Sequence, residues 1–166
     1  MPNVFEGKLE SAAGRYAIVV SRYNDSITGR LLTGAVATLE AAGIDENTID
    51  VAWVPGAWEL PLIAKRFVST ERYDAVICLG AVIRGETTHD QHINRAVSLA
   101  LGELSITSGV PVIFGLLTCE TIEQAIQRAG GNMGNKGTEC GQAALEMVSL
   151  LRQIPSYEMR RETSRE

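Results

Sequence analysis

Four short apolar runs along the chain alternate with stretches whose apolar residues recur at helical spacing. The first run, Tyr16-Ala17-Ile18-Val19-Val20, is apolar throughout and does not alternate. A strand covered by helices on both faces carries that signature, because neither side-chain direction meets water. After it, Asn24, Asp25 and Ser26 offer caps for a helix running to about residue 42, where Gly43 stops it. Leu31, Leu32, Ala35, Val36 and Leu39 mark the buried face of that helix. A second strand is expected over 48–54, followed by a helix with Leu60, Ile63, Ala64 and Phe67 on one side. Pro61 suits the first turn of that helix, where a missing amide donor costs little. The third strand, 75–83, is the most hydrophobic segment, and a polar loop over 84–90 leads into a long helix ending near 107. Gly109-Val110-Pro111 opens a fourth strand over 112–117. Two more helical patterns, 121–129 and 138–154, flank a glycine-rich connection.

This alternation implies parallel strands joined by right-handed crossovers, with helices on both faces. The expected fold is therefore α/β: a flavodoxin-like three-layer α/β/α sandwich around a four-stranded parallel sheet in the order 2-1-3-4. One domain spans 1–154, and the charged stretch 155–166 reads as a flexible C-terminal tail with little to bury. The segment before residue 11 has no place in this plan; pairing with the sheet edge of a neighbouring subunit would give it one.

Composition narrows the classes of function. The chain has 166 residues, 45% hydrophobic and 21% charged, which suits one ordinary globular domain. A formal charge of -5 argues against a nucleic-acid surface, which needs clustered Lys and Arg. No apolar run approaches the ~20 residues of a membrane span, and the first ten residues lack the sections of a signal peptide. The expected location is cytoplasmic. Cys78, Cys119 and Cys140 are far apart and lack any C-x-x-C spacing, so they read as buried free thiols of a reducing compartment.

Ligands of open parallel sheets bind beyond the carboxyl ends of the strands, and the unusual residues fall there. Ser21-Arg22-Tyr23-Asn24 follows the first strand and Pro55-Gly56-Ala57-Trp58-Glu59 the second. Arg84-Gly85-Glu86-Thr87-Thr88-His89 follows the third, while the fourth carries Phe114-Gly115 and ends in Thr118. In the third of these loops, Gly85 permits close backbone approach and the free amides at the following helix start favour an anion. A merely capped helix start would look the same. No phosphate-loop or dinucleotide fingerprint is present.

His89 could move protons or be structural. With His92 it could form a metal pair, but no third ligand is in sight, so no metal is expected. Tyr23 could stack on a flat heterocycle or cover the core, and Trp58 favours packing. Glu59 could accept bonds from sugar-like hydroxyls or complement a helix dipole. The run Gly130-Gly131-Asn132-Met133-Gly134-Asn135-Lys136-Gly137 could wrap a ligand or a subunit contact. Its flanking cations Arg128 and Lys136 could equally be solvated charge.

Taken together, these motifs resemble the lumazine synthase family, from about residue 21 to 151. Arg22-Tyr23-Asn24 is similar to the family's Arg-aromatic-Asn, and Pro55-Gly56-Ala57-Trp58-Glu59 to its Pro-Gly-Ala-Phe-Glu. The stretch from Gly80-Ala81-Val82-Ile83 through Arg84 to His89, and Gly134-Asn135-Lys136-Gly137, match almost residue for residue. Arg30-Leu31-Leu32, Pro111-Val112-Ile113-Phe114-Gly115 and Glu120-Thr121-Ile122-Glu123-Gln124-Ala125 also agree.

The resemblance implies condensation of 5-amino-6-(D-ribitylamino)uracil with 3,4-dihydroxy-2-butanone 4-phosphate to 6,7-dimethyl-8-ribityllumazine, inorganic phosphate and water, the penultimate step of riboflavin biosynthesis. It implies no cofactor. Tyr23 would stack on the pyrimidine, Ala57, Trp58 and Glu59 would hold the ribityl chain, and Ala81, Val82 and Ile83 would line the ring. Gly85, Glu86, Thr87 and Arg128 would bind the phosphate. His89 would move protons, with Arg128 assisting at the reacting centre, and Phe114 and Lys136 would complete the pocket from a neighbouring subunit. The family forms homopentamers, and some members build a 60-subunit icosahedral shell. The tight 130–137 connection resembles the shell formers.

This chain departs from the family pattern at Tyr23, at Trp58, and at Asp90-Gln91-His92, which replaces an aromatic-acid-aromatic run. Two rival readings are a flavodoxin-like flavin or nucleotide carrier and a shell protein whose catalysis has lapsed. A serine hydrolase fails, because no G-x-S-x-G elbow occurs.

Overall fold

A computed structural model of the chain describes residues 1–10 and 13–155. Strands β1 (Tyr16–Ser21), β2 (Ile49–Val54), β3 (Ala75–Ile83) and β4 (Val112–Cys119) form one sheet in the order β2-β1-β3-β4. Every pairing in it is parallel. Helices α1 (Asp25–Ala41) and α5 (Lys136–Gln153) pack on one face together with α4 (Ile122–Arg128). Helices α2 (Leu60–Val68) and α3 (His89–Ser108) cover the other. The expected three-layer fold and strand order are those observed.

The unbroken apolar runs are explained by this double cover. Along β1, Tyr16, Ile18 and Val20 enter the α1/α5 layer, while Ala17 and Val19 enter the α2/α3 layer, and all five are fully buried. Burial pushes the Tyr16 phenol up to about 12. Leu31, Ala35 and Leu39 supply the inner stripe of α1. Each fully buried Leu there contributes about 1.5–3 kcal/mol relative to an exposed one. Gly43 ends this segment with φ of 89°, a left-handed turn that glycine adopts without strain.

Boundaries differ from expectation where side chains or neighbouring strands extend an element. β4 runs to Cys119 because its register with β3 continues through Val82↔Thr118 and Ile83↔Cys119. α5 begins at Lys136, since the Asn135 side chain accepts from the Gly137 and Thr138 amides and so starts the helix early. The glycine-rich connection is ordered as a small antiparallel hairpin, β5 (Ala129–Gly131) and β6 (Gly134–Asn135). Asn24 stands at the N-cap of α1 in the left-handed conformation, φ 61°, and makes no side-chain cap.

The segment before residue 11 does not lie at a sheet edge within the chain. It runs along α5: the Gln153 side chain accepts from the Glu6 amide at 3.4 Å and donates to the Glu6 carbonyl at 2.7 Å. Ser149 Oγ accepts from the Lys8 amide at 3.1 Å. These polar side chains on the outer face of α5 satisfy backbone groups that a strand partner would otherwise serve. The tail expected over 155–166 lies, beyond Pro155, outside the described residues. No helix among the described residues is long and apolar enough to cross a membrane.

Candidate active site

The loops that leave β1 and β2 are tied together by their own backbone, and a side chain joins the first of them to β3. The Arg22 amide donates to the Val54 carbonyl at 2.7 Å, and the Tyr23 amide to the Pro55 carbonyl at 3.0 Å. Asn24 Nδ2 donates to the Ala81 carbonyl at 2.9 Å, crossing from the β1 loop to β3. Asn tolerates the left-handed backbone that aims its amide this way. Tyr23 is thereby held beside Pro55-Gly56 above the carboxyl end of the sheet, with its ring largely exposed.

A cleft of about 490 Å³ opens there, within the range of small-molecule sites. Tyr23, Ala57 and Trp58 form one side of it, and Ala81, Val82 and Ile83 the floor. Gly85 and Thr87 close it from the β3–α3 loop, together with His89, Asp90 and Ile93 of α3. Trp58 is 59% exposed, so it is an open wall of the cleft rather than the packing residue its sequence context favours. His89 is the first residue of α3 and is exposed; its amide donates weakly to Thr87 Oγ1, at 3.4 Å. Loop amides before α3 and the positive helix end make this rim favourable to an anion.

Five candidates stand outside the cleft wall. Glu59 turns back to accept from the Gly56 amide at 3.0 Å, steadying the 3₁₀ turn Ala57–Glu59 that presents Trp58. Glu86 is exposed on the loop, and Phe114 lies half-exposed on edge strand β4. Arg128 and Lys136 line a second cavity of about 520 Å³, with Thr118, Cys119, Gln124 and Met133 among its other walls. Lys136 pairs with Glu139 at 2.9 Å. Burial raises the Cys119 thiol above its ordinary value, while Arg128 opposes that rise, so Cys119 presents a neutral thiol to this cavity.

The two cavities share no wall residue. The end of the β3–β4 ladder divides them: Ile83 faces Cys119 in register, the Arg84 amide donates to the Cys119 carbonyl, and Arg84 meets Glu120 at 3.4 Å. One cavity offers aromatic faces, strand backbone and a histidine. The other offers two cations. No group of three or more His, Cys, Asp or Glu among the described residues is arranged to hold a metal ion.

Compared with known families, residues 13–152 match the model of 6,7-dimethyl-8-ribityllumazine synthase. The chain belongs to that family.

Membership covers the whole sheet and the helices on both faces, and so every loop that builds the two cavities. Riboflavin biosynthesis is the metabolic setting it assigns. Lumazine synthase motifs also account for residues outside the cavities. In Gly134-Asn135-Lys136-Gly137, Asn135 caps α5 and donates to the Arg30 carbonyl at 3.0 Å, and Gly137 is the point where α5 meets α1. Only Lys136 of the four lines a cavity. Among the wall residues that sequence reading did not select are Asp90 and Ile93, and Leu116, Leu117 and Gln127 in the second cavity. For Ile93 a signal existed: positions 89 and 93 are one turn apart, so a helix that presents His89 to a cleft also presents Ile93.

Proposed function

We propose that the protein condenses 5-amino-6-(D-ribitylamino)uracil with 3,4-dihydroxy-2-butanone 4-phosphate to give 6,7-dimethyl-8-ribityllumazine. The observation that carries this reading is one cleft that gathers Tyr23, Ala57, Trp58, Ala81, Val82, Ile83, Gly85, Thr87 and His89, in a chain of this family. Tyr23 offers its face to a pyrimidine, and strand backbone at Ala81 to Ile83 reads the ring edge. Ala57 and Trp58 border the ribityl chain, with Glu59 behind them.

The second half of the site comes from a neighbouring subunit. Arg128, Phe114 and Lys136 lie outside the cleft of their own chain, so they serve the cleft of the next copy, which makes the pentamer the functional unit. A 60-subunit icosahedral shell is the larger assembly we infer, on the tight hairpin over 129–135. Cytoplasmic residence fits Cys78, Cys119 and Cys140, all free and buried.

In the reaction, the uracil's amine attacks the ketone and loses water to form an imine. Phosphate then leaves, and tautomerisation, ring closure and a second loss of water complete the lumazine. Gly85, Glu86 and Thr87, with Arg128 across the interface, hold the departing phosphate. His89 shuttles protons at nitrogen and oxygen, work typically worth ~10²–10⁴ in rate. Holding both substrates in one cleft adds a comparable share.

Mixing the purified protein with both substrates and following lumazine absorbance above the protein-free background tests this directly. A protein-dependent rate is expected. A folded, assembled protein that gives none would sink the reading and leave a shell protein without catalysis.

A further inference from the structure

The hairpin over 129–135 is seated on one residue, Gln127, in the last turn of α4. The Gln127 Oε1 accepts from the Asn132 amide at 2.7 Å, and the Gln127 backbone carbonyl accepts from the Met133 amide at 3.1 Å. Both amides at the hairpin tip are thus received by the same residue. Only the oxygen of a side-chain amide can accept from an N–H, so this bond also fixes which way the Gln127 head is turned. The backbones are close as well: a Cβ on Gly131 would lie 2.7 Å from both Cα and Oε1 of Gln127.

The other strand of the hairpin is anchored elsewhere. Asn135 donates to the Arg30 carbonyl of α1 at 3.0 Å and caps α5, whose first residue is Lys136. Lys136 is therefore placed by α1 and α5. Arg128 has no such anchor. It ends α4, a helix of 7 residues, which is too short to be rigid without tertiary support. None of the ion pairs among the described residues holds its side chain. The clamp at Gln127 ties the turn of α4 that carries Arg128 to the anchored hairpin. Gln127, Arg128, Met133 and Lys136 line one cavity, so the clamp sets how its two cations and its Met133 wall stand to one another.

We propose that Gln127 is a positioning residue, which holds Arg128 at the spacing from Lys136 that receives the phosphate of the butanone substrate. This rests on the lumazine-forming reading of the two cavities. Gln127 acts through Arg128 and the hairpin, and its side-chain oxygen is the atom that matters.

The test compares wild type, Gln127→Met and Gln127→Glu as assembled proteins. Met fills a similar space without the oxygen, and Glu keeps an oxygen acceptor at the same reach. Amide hydrogen exchange over 130–133, steady-state kinetics in both substrates and thermal unfolding are measured. In Gln127→Met, exchange over 130–133 should be about fivefold faster, as expected for one lost hydrogen bond. The KM for the butanone phosphate should rise by a similar factor, about fivefold, while that for the uracil stays within about twofold. Gln127→Glu should keep the slow exchange of wild type. Faster exchange in Gln127→Met without a change in either KM would overturn the positioning role and leave the function standing. So would a rise in both KM values together with a marked drop in midpoint, which is what a general folding role gives. Exchange in Gln127→Glu as fast as in Gln127→Met would show that the oxygen is not the clamp, and would overturn the proposal too. Wild type without turnover would remove both readings together.

Discussion

A methyl group placed on Gly137 would fall inside the Leu31 carbonyl. Helices α1 and α5 thus touch backbone to backbone at this pair, and the last residue of Gly134-Asn135-Lys136-Gly137 is set by that contact. Neither side is a flexible tip, so the helices must separate to admit any side chain. Gly137→Ala should destabilise the fold by about 3 kcal/mol, the upper end of what overpacking costs. Gly29, also helical, has open space where its methyl would go. Gly29→Ala should add about 0.5–1 kcal/mol. Urea unfolding of both variants checks the pair; equal effects would refute the contact.

This contact also marks the limit of what the sequence disclosed. The strand order and the cover on both faces were legible because runs such as 16–20 and 75–83 leave no polar face. The cleft was legible because α/β topology collects Tyr23, Trp58 and His89 at strand ends. What was not legible depends on contacts across the fold. Asn24 looked like a cap yet crosslinks β1 to β3. Glu59 looked cleft-facing yet closes its own turn. The separation of Arg128 from His89 within one chain follows from the β3–β4 ladder, which motif spacing does not encode.

Ser21, at the end of β1, is 1% exposed, and its Oγ has no partner among the described residues. Its carbonyl is well used, accepting from Thr28 Oγ1 at 2.7 Å, but the hydroxyl is buried without return. Replacing an unsatisfied buried polar group by an apolar one of similar size is neutral or stabilising. Ser21→Ala should leave the unfolding free energy unchanged or raise it by about 1 kcal/mol, with kinetics unaltered. A clear loss of stability in denaturant unfolding would show that the hydroxyl has a partner in the assembly.

At the opposite end of the sheet, Tyr73 donates to Asp50 Oδ2 at 2.7 Å, and Arg15 reaches the same oxygen through Nε at 2.9 Å and Nη2 at 2.8 Å. The Tyr73 hydroxyl, more than the Arg15 guanidinium, holds the Asp50 carboxyl below its ordinary value of 3.8 against the opposing effect of burial. A group lowered in the folded state stabilises above its unfolded value, and that contribution vanishes as pH falls through the folded one. Asp50→Asn should therefore lower the thermal midpoint at pH 7, and the gap from wild type should close well below pH 3.8. A gap that stays constant from neutral to strongly acid pH would assign the effect to packing instead.

The division of the two cavities makes subunit sharing testable without an oligomer structure. Arg128→Ala should raise the KM for the butanone phosphate with little effect on that for the uracil. His89→Ala should lower kcat by roughly 10²–10⁴ with assembly intact. Each variant spoils a different half: His89 belongs to the aromatic cleft and Arg128 to the cationic cavity. If sites form between neighbours, unfolding both variants together and refolding them as a mixture lets an intact cleft meet an intact cationic cavity. In an equal random mixture about a quarter of the interfaces combine the two intact halves, so, assayed with butanone phosphate well below the raised KM of Arg128→Ala, about a quarter of wild-type activity should return. Separately refolded variants mixed afterwards should regain nothing, because their interfaces are already made. If co-refolded mixtures are no more active than the average of the two variants, His89 and Arg128 serve one site from one chain, and the shared-site proposal fails.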